Sequence, residues 1–106
     1  MAVKILRRIK AIEDAEAIAD FIARNSLEAA IRFLENTEAT IRYIAESPGI
    51  SGVFVSDRPE LANLRTCRVK GFPNHVIFYI EHPSSVEIVR IMHGSRNFES
   101  ELKIDP

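Results

Sequence analysis

The stretch Val76-Ile77-Phe78-Tyr79-Ile80 and the later stretch Val86-Glu87-Ile88-Val89-Arg90-Ile91-Met92 decide the fold of this chain. Five consecutive apolar residues are typical of a central strand, and the second stretch predicts its neighbour. The polar link His82-Pro83-Ser84-Ser85 separates the two strands. The second strand runs directly into His93-Gly94-Ser95-Arg96. The sheet is therefore predicted to present polar groups at one end, where a rigid scaffold commonly carries function.

Two further strands are predicted outside this pair. Leu64 to Lys70 alternates in polarity, and Gly71-Phe72-Pro73-Asn74 predicts a turn after it. We expect Arg68 and Lys70, on that strand, to face away from the helices. Near the start, Val3, Ile5 and Leu6 lie among basic residues, which predicts a short, half-buried edge strand.

Two helices are predicted between the first strand and the rest of the sheet. The first spans Ala11 to Arg24, and Ser26 is positioned to cap the second, which spans Leu27 to about Glu46 and is stopped by Pro48 and Gly49. The apolar positions of the first helix are Ile12, Ala15, Ile18, Phe21 and Ile22. Those of the second are Ala30, Phe33, Leu34, Thr37, Ile41, Ile44 and Ala45.

The order of these elements, β-α-α-β-β-β, predicts an α+β fold in which a helical hairpin packs on a small, mainly antiparallel sheet. We expect residues 1–106 to form a single domain. Residues 49–63 are predicted to be an irregular connector, with a brief extended piece at Val53-Phe54-Val55.

Composition limits the classes of function. The chain is 46% hydrophobic and 27% charged with a formal net charge of -1, which is typical of a globular domain and argues against broad nonspecific coating of nucleic acid. The single cysteine, Cys67, excludes an internal disulfide and fits a reducing cytoplasm. It is expected to lie in the core, and no metal or cofactor site is predicted. No transmembrane run or secretory signal is predicted.

Several segments in this order resemble the RelE/ParE superfamily of toxins from type II toxin-antitoxin systems, and the match covers nearly the whole chain. The segments are Asp20-Phe21-Ile22-Ala23, Ala29-Ala30-Ile31-Arg32-Phe33, Ser47-Pro48-Gly49 with Gly52, Pro59-Glu60-Leu61, Leu64-Arg65, Arg68-Val69, Val76-Ile77-Phe78-Tyr79 and Ile88-Val89-Arg90-Ile91-Met92-His93-Gly94-Ser95-Arg96-Asn97.

The resemblance implies a toxin that is held by a cognate antitoxin, whose flexible segment wraps across the sheet and helices. It leaves two activities open. RelE-like members cleave messenger RNA on the ribosome, whereas ParE-like members poison DNA gyrase and block replication. A third alternative is a relative that binds an antitoxin without being toxic.

Cleavage of RNA requires a base, an acid and cationic stabilisation of the phosphate. In this chain His93, Arg96 and Arg65 are the candidate catalytic residues for such an endoribonuclease. A RelE-like site is expected to combine a basic cluster with a tyrosine or histidine near the C-terminus. In this chain Phe98 has no ionisable group, and no tyrosine or histidine follows Arg96. This difference favours the ParE-like interpretation, a noncatalytic gyrase inhibitor.

For that function the candidate residues that contact the target or the antitoxin are Arg65, Arg68, Arg90, His93 and Arg96. Each also has a purely structural interpretation. Arg90 can project from the open face of the sheet or pair with Glu87 or Glu81, and His93 can pin the sheet edge. His75 and His82 flank turns and are expected to be solvated, and the Tyr79 hydroxyl is expected to be satisfied. We expect the far face of the sheet and the trailing end of the chain to bind other macromolecules.

Overall fold

A computed structural model describes residues 3–49 and 57–94 of the chain as two helices packed on one face of a four-stranded sheet. The helices are α1 (Ile9–Ala23) and α2 (Leu27–Glu46). The strands are β1 (Lys4–Arg7), β2 (Leu64–Val69), β3 (Phe72–His82) and β4 (Ser85–His93), and a 3-10 turn spans Pro59–Leu61. The predicted order of elements and the α+β class are confirmed. The extended piece predicted at Val53–Val55 lies outside the described residues.

The sheet has the strand order β1-β4-β3-β2. β2, β3 and β4 are successively antiparallel, while β1 pairs in parallel with β4, with Lys4 opposite Ser85 and Arg7 opposite Ile88. β1 is therefore an edge strand, as predicted. The predicted turn at residues 71–74 is too long, because β3 already begins at Phe72 and only Gly71, at φ +76°, has a left-handed backbone.

The start of α2 follows from a local signal. The Ser26 hydroxyl accepts a hydrogen bond from the backbone N–H of Ala29 at 3.1 Å, which satisfies one of the donors that the first turn leaves unpaired. The predicted bounds of α2 are confirmed. α1 begins two residues earlier than predicted, at Ile9, directly after β1 ends.

The apolar face predicted for α1 is partly wrong. Ile12 is 44% exposed and Phe21 is 64% exposed, whereas Ala11 and Ala19 are buried. The helix turns its small side chains toward the sheet, with Ile18 and other half-buried residues packed at the border of the core. Alanines allow the helix backbone to approach the sheet closely, so burial here follows size rather than hydrophobicity.

α2 supplies most of the helical contribution to the main core. Phe33, Ile41 and Ile44 are at most 1% exposed, but Leu34, predicted to belong to the same face, is 41% exposed. The buried Thr37 hydroxyl donates to the Phe33 carbonyl oxygen at 2.7 Å, which satisfies the polar group inside the core.

A second apolar cluster lies on the far face of the sheet. Side chains alternate along β3, so that Ile77 and Tyr79 belong to the helix-side core while Phe78 belongs to the other face. The members of the far-face cluster that are at most 3% exposed are Leu61, Leu64, Phe78, Val89 and Met92. The expectation that the far face is open for binding is therefore wrong over this central region.

Candidate functional site

Arg90 is held by α1. Its guanidinium donates two hydrogen bonds to the Asp14 carboxylate, from Nε at 2.6 Å and from Nη2 at 3.0 Å, and both side chains are only 13% exposed. The same carboxylate accepts the backbone N–H of Ile91 at 3.0 Å. The pairing differs from the predicted ones, which were Glu87 or Glu81. Arg90 therefore fastens the start of α1 to β4.

The position of Arg90 results from a bulge. Phe78 lies opposite Arg90 and Tyr79 lies opposite Ile88, so one extra residue, Val89, is inserted in β4. A bulge changes the direction of the side chains that follow it. Beyond Arg7 the parallel strand β1 has ended, and the Asp14 carboxylate takes the place of a strand partner for the Ile91 N–H.

Arg65 lies on the edge strand β2, opposite Tyr79, in the row next to that of Phe78 and Arg90. Its Nε is 3.7 Å from a carboxylate oxygen of Glu81, in a pair that is about a third exposed, and Arg65 makes further contacts. The residue of β3 opposite Arg65 is Tyr79, and the one opposite His93 is His75, so the two positions are four residues apart along β3. At about 3.3 Å per residue this is roughly 13 Å along the strand. The structure does not bring Arg65 and His93 together, and Arg96 lies outside the described residues.

The two histidines at the end of the sheet form a pair. The rings of His75 and His93 meet edge to face with centroids 5.1 Å apart, and His75 also packs edge-on against Phe33 at 5.2 Å. His75 is half-buried, so the prediction that it is solvated is wrong. Its Nδ1 is buried without a hydrogen-bond partner in the described part of the chain. Burial, and then the neighbouring His93, lower the pKa of His75 below its ordinary value of 6.5.

The remaining polar candidates have structural partners. The Tyr79 hydroxyl donates to the Pro48 carbonyl oxygen at 2.6 Å, which confirms that it is satisfied and ties the end of α2 to the sheet. His82 lies 3.0 Å from the Glu87 carboxylate, which also accepts from Arg8 at 2.7 Å. Arg8 and then His82 hold the pKa of Glu87 below its usual value.

A groove lies between α2 and β2 and is here called the α2–β2 groove. It has a volume of about 350 Å³ and is lined by Ala39, Thr40, Tyr43, Cys67, Arg68 and Lys70. Tyr43 is 47% exposed, and Arg68 donates only a long hydrogen bond, 3.3 Å, to the Pro73 carbonyl oxygen. Cys67 is half-buried rather than fully buried, because it lies between this groove and the core.

The buried hydroxyl of Thr40 joins the two walls of the α2–β2 groove. Thr40 Oγ1 donates to the Asn36 carbonyl oxygen at 2.7 Å and accepts the N–H of Lys70 at 3.1 Å. This double contact joins α2 to the end of β2. Sequence reasoning missed Tyr43 as a surface residue, although a tyrosine outside the apolar spacing of α2 was the available signal.

The outer side of the helical hairpin is apolar. It is here called the outer helical face and is made of Ile12, Leu27, Ile31 and Leu34. These side chains are 41–68% exposed. Leu27, Ile31 and Leu34 are spaced at i, i+4 and i+7, which places them on one side of α2. Ile12 and Leu34 line a common groove of about 200 Å³ between the helices. Sequence reasoning missed this face because it combined Leu34 with the core stripe.

Within residues 3–49 and 57–94, no cluster of His, Cys, Asp and Glu is arranged to hold a metal ion. No helix in the same ranges is long and apolar enough to cross a membrane.

Comparison with known proteins identifies the family. The sequence profile of the family described as the ParE toxin of the type II toxin-antitoxin system, parDE, matches residues 5–98. The chain belongs to the ParE toxin family. It is thus a toxin of the type II toxin-antitoxin class, and the resemblance to the ParE branch is confirmed.

A solved structure shares the ParE-like fold. A chain of the "Chromosomal ParDE TA system from P. aeruginosa" aligns with a TM-score of 0.69 and 16% sequence identity, covering 87% of this chain and 96% of that one. At this identity the likeness concerns the fold. A search of curated proteins found no match.

Proposed function

We propose that this ParE family member acts in the cytoplasm as a noncatalytic inhibitor of DNA gyrase that a cognate antitoxin neutralises. The observation that carries the proposal is the family match over residues 5–98, since ParE-like toxins poison gyrase. Inhibition of the enzyme would block replication. The proposal requires a protein surface for the target and another contact for the antitoxin, rather than a catalytic centre.

The geometry supports binding over catalysis. Among the described residues, the positions of His93 and Arg65 are four residues apart along β3, and Arg90 is occupied by Asp14. A general base and a cation must act on one phosphate to cleave RNA, so this spacing does not favour an endoribonuclease. Partner contacts of Arg65, Arg68, Arg90, His93 and Arg96 stay predictions.

Purified protein added to gyrase and relaxed plasmid tests the target. We expect a loss of supercoiling that increases with toxin concentration and disappears when the cognate antitoxin is added first. Unchanged supercoiling at stoichiometric excess would reject the gyrase proposal. Codon-associated cuts in transcripts after induction, lost in His93→Ala, would instead establish the RelE-like alternative. Normal growth after induction without an antitoxin would favour the non-toxic relative.

The outer helical face is the proposed contact with the antitoxin. Clustered aliphatic side chains at this exposure are uncommon on a free monomer and typical of a protein interface. The spacing of Leu27, Ile31 and Leu34 matches the way in which an amphipathic helix meets a groove. Burial of this face by the antitoxin would remove apolar surface from water, which stabilises the complex.

A charge placed in this face tests the antitoxin contact. Ile31→Glu should weaken antitoxin binding by about a hundredfold, because a buried carboxylate has no partner there. Ala17→Glu introduces the same charge at an exposed position of α1 that lines none of these grooves, and it should bind normally. Titration calorimetry with the cognate antitoxin measures both. Equal affinities of the two variants would place the antitoxin elsewhere.

A further inference from the structure

One end of the β3–β4 pair carries two histidines directly opposite each other, His75 on β3 and His93 on β4. The N–H of Ile91 points away from β3, toward α1, whereas the N–H of Gly94 points toward β3. Because N–H groups alternate along a strand, the two histidines lie in a row in which the strands exchange no hydrogen bonds. The backbones are closest in such a row, and the ring centroids are accordingly 5.1 Å apart.

The ring of His75 is packed into an aromatic wall. It meets Phe33 of α2 at 5.2 Å between centroids and Phe72 of its own strand at 6.4 Å. The two phenyl rings meet each other edge to face at 5.2 Å, and Phe33 is completely buried. His75 therefore covers part of the Phe33 ring, and its departure would expose apolar surface at this end of the core.

A proton on His75 finds no acceptor in this wall. The Nδ1 atom is buried, and no group of the described residues bonds to it. An imidazolium ion carries a hydrogen on both ring nitrogens, so the charged form would bury an unsatisfied N–H donor beside two phenyl rings. This burial, together with repulsion from His93, keeps the pKa of His75 below its ordinary value of 6.5.

No charge among the described residues offsets this effect. Within residues 3–49 and 57–94, no carboxylate forms an ion pair with His75. Arg68 of β2 lies opposite Val76, the next residue of β3, and so points to the other face of the sheet. Arg32 of α2 is more than half exposed and pairs with a glutamate one turn earlier. The titratable group that faces His75 is His93 of β4, whose charge has the same sign.

The next row holds the two strands close together. The Gly94 N–H donates to the Asn74 carbonyl oxygen at 2.6 Å, and a methyl group at Gly94 would lie 3.3 Å from the same oxygen. Asn74 directly precedes His75 in the chain, so a displacement of His75 from the wall also moves the acceptor of this bond. The hydrogen bond and the histidine row should therefore open together.

We propose that His75 is a pH-sensitive latch of the β3–β4 pair: when the ring takes up a proton it leaves the Phe33 wall for water, and the histidine row and the Gly94 hydrogen bond open. The rest of the sheet stays paired. The closed form binds fewer protons than the open one, because the pKa of His75 is lowered only in the wall. The open form therefore gains population as the pH falls below 6.5. The latch is a property of the fold and does not depend on gyrase being the target.

Amide hydrogen exchange followed by NMR tests the latch. The N–H groups of Gly94 and Met92 both point toward β3 and report on this end of the pair, while the row of Ile80 and Glu87 reports on the other end. From about pH 7.5 to about pH 5.5, the opening constant at Gly94 and Met92 should rise about threefold or more, after correction for intrinsic exchange rates. This opening should be nearly independent of urea, because it exposes little surface, whereas exchange in the Ile80 row should accelerate with urea.

Three variants assign the response to His75. His75→Phe keeps an aromatic ring on the wall and cannot take up a proton, so its opening constant at Gly94 should not change over this pH range. His93→Gln should reduce the response without abolishing it, since the burial of His75 remains. His82→Gln removes an exposed histidine at the other end of β3 and should respond like the wild type. In the wild type, the ring signal of His75 should titrate together with the Gly94 exchange.

Each contrary result overturns the latch. An opening constant at Gly94 that does not depend on pH shows that protonation does not open the row. The same rise in His75→Phe assigns the response to another group, as does a His75 ring signal that titrates over a different pH range. Equal urea dependence at Gly94 and in the Ile80 row shows that this end opens only when the whole domain unfolds.

Discussion

The ion pair between Asp14 and Arg90 permits a quantitative test of how the helical hairpin is fixed to the sheet. Asp14→Asn removes the negative charge and leaves the Arg90 guanidinium 13% exposed without its counter-ion. Removal of one partner of a buried pair costs about 3–5 kcal/mol. The asparagine oxygen can still accept from the Ile91 N–H, and the pair is not completely buried. We therefore expect a loss of about 2–3 kcal/mol.

Urea unfolding followed by circular dichroism measures this change. For a domain of this size, the expected loss corresponds to a decrease in melting temperature of about 10 °C or more. Glu13→Gln is the matched control, because it removes the same charge from the neighbouring, exposed position of α1. Its effect should stay within about 0.5 kcal/mol. Equal stabilities of the two variants would refute the view that the Asp14 contact anchors α1.

The same pair separates a structural from a target-binding role of Arg90. Arg90→Lys keeps the positive charge but cannot reproduce the bidentate contact with Asp14, so stability should fall. Inhibition of gyrase, corrected for the folded fraction, should be preserved. A stable Arg90→Lys protein that no longer inhibits would instead show that Arg90 meets the target.

Three further predictions concern local features. Ser26→Ala should cost about 1 kcal/mol in urea unfolding, because the first turn of α2 loses its hydroxyl acceptor. Gly71→Ala should cost about 1–2 kcal/mol, since its φ is +76° and the new methyl would lie 2.9 Å from the Asn36 side chain; Gly49→Ala, with open space around it, should be nearly neutral. The pKa of His75 is lowered from 6.5 in the folded state, which then binds fewer protons than the unfolded state, so stability should fall as the pH is lowered from 7 toward 5.5. His75→Gln should flatten that slope in unfolding curves recorded across this pH range.

Local signals were sufficient for much of the fold. The hydroxyl of Ser26 and the position of Pro48 delimit α2 through hydrogen bonds and backbone angles that involve only neighbouring residues, so its bounds could be predicted. The buried face of α1 could not be predicted from local signals. Hydrophobicity ranks Ile12 and Phe21 above Ala11, but close packing on the sheet selects the smaller side chain.

The coverage of the far face of the sheet could have been predicted from the sequence. The run from Val76 to Ile80 contains no polar residue, and a strand with an open face would alternate. This run already indicated that both faces of β3 are covered, as the position of Phe78 in the second cluster shows.

The partners of the candidate residues depend on long-range geometry. Asp14 and Arg90 are 76 positions apart, and their contact depends on the bulge at Val89, which no local pattern marks. Sequence reasoning therefore named Arg90 but not its partner. In the same way it named Arg68 without the groove, since Tyr43 reaches β2 only through the packing of α2.

The parallel pairing of β1 with β4 has a consequence for biosynthesis. The strand that leaves the ribosome first, Lys4–Arg7, finds its hydrogen-bonding partner only in the strand that leaves last, Ser85–His93. Closing so long a loop is entropically costly and requires that β4 has already been synthesised. The sheet therefore cannot be completed on the β1 side until β4 has been synthesised, whereas the helical hairpin between them needs only the first half of the described residues.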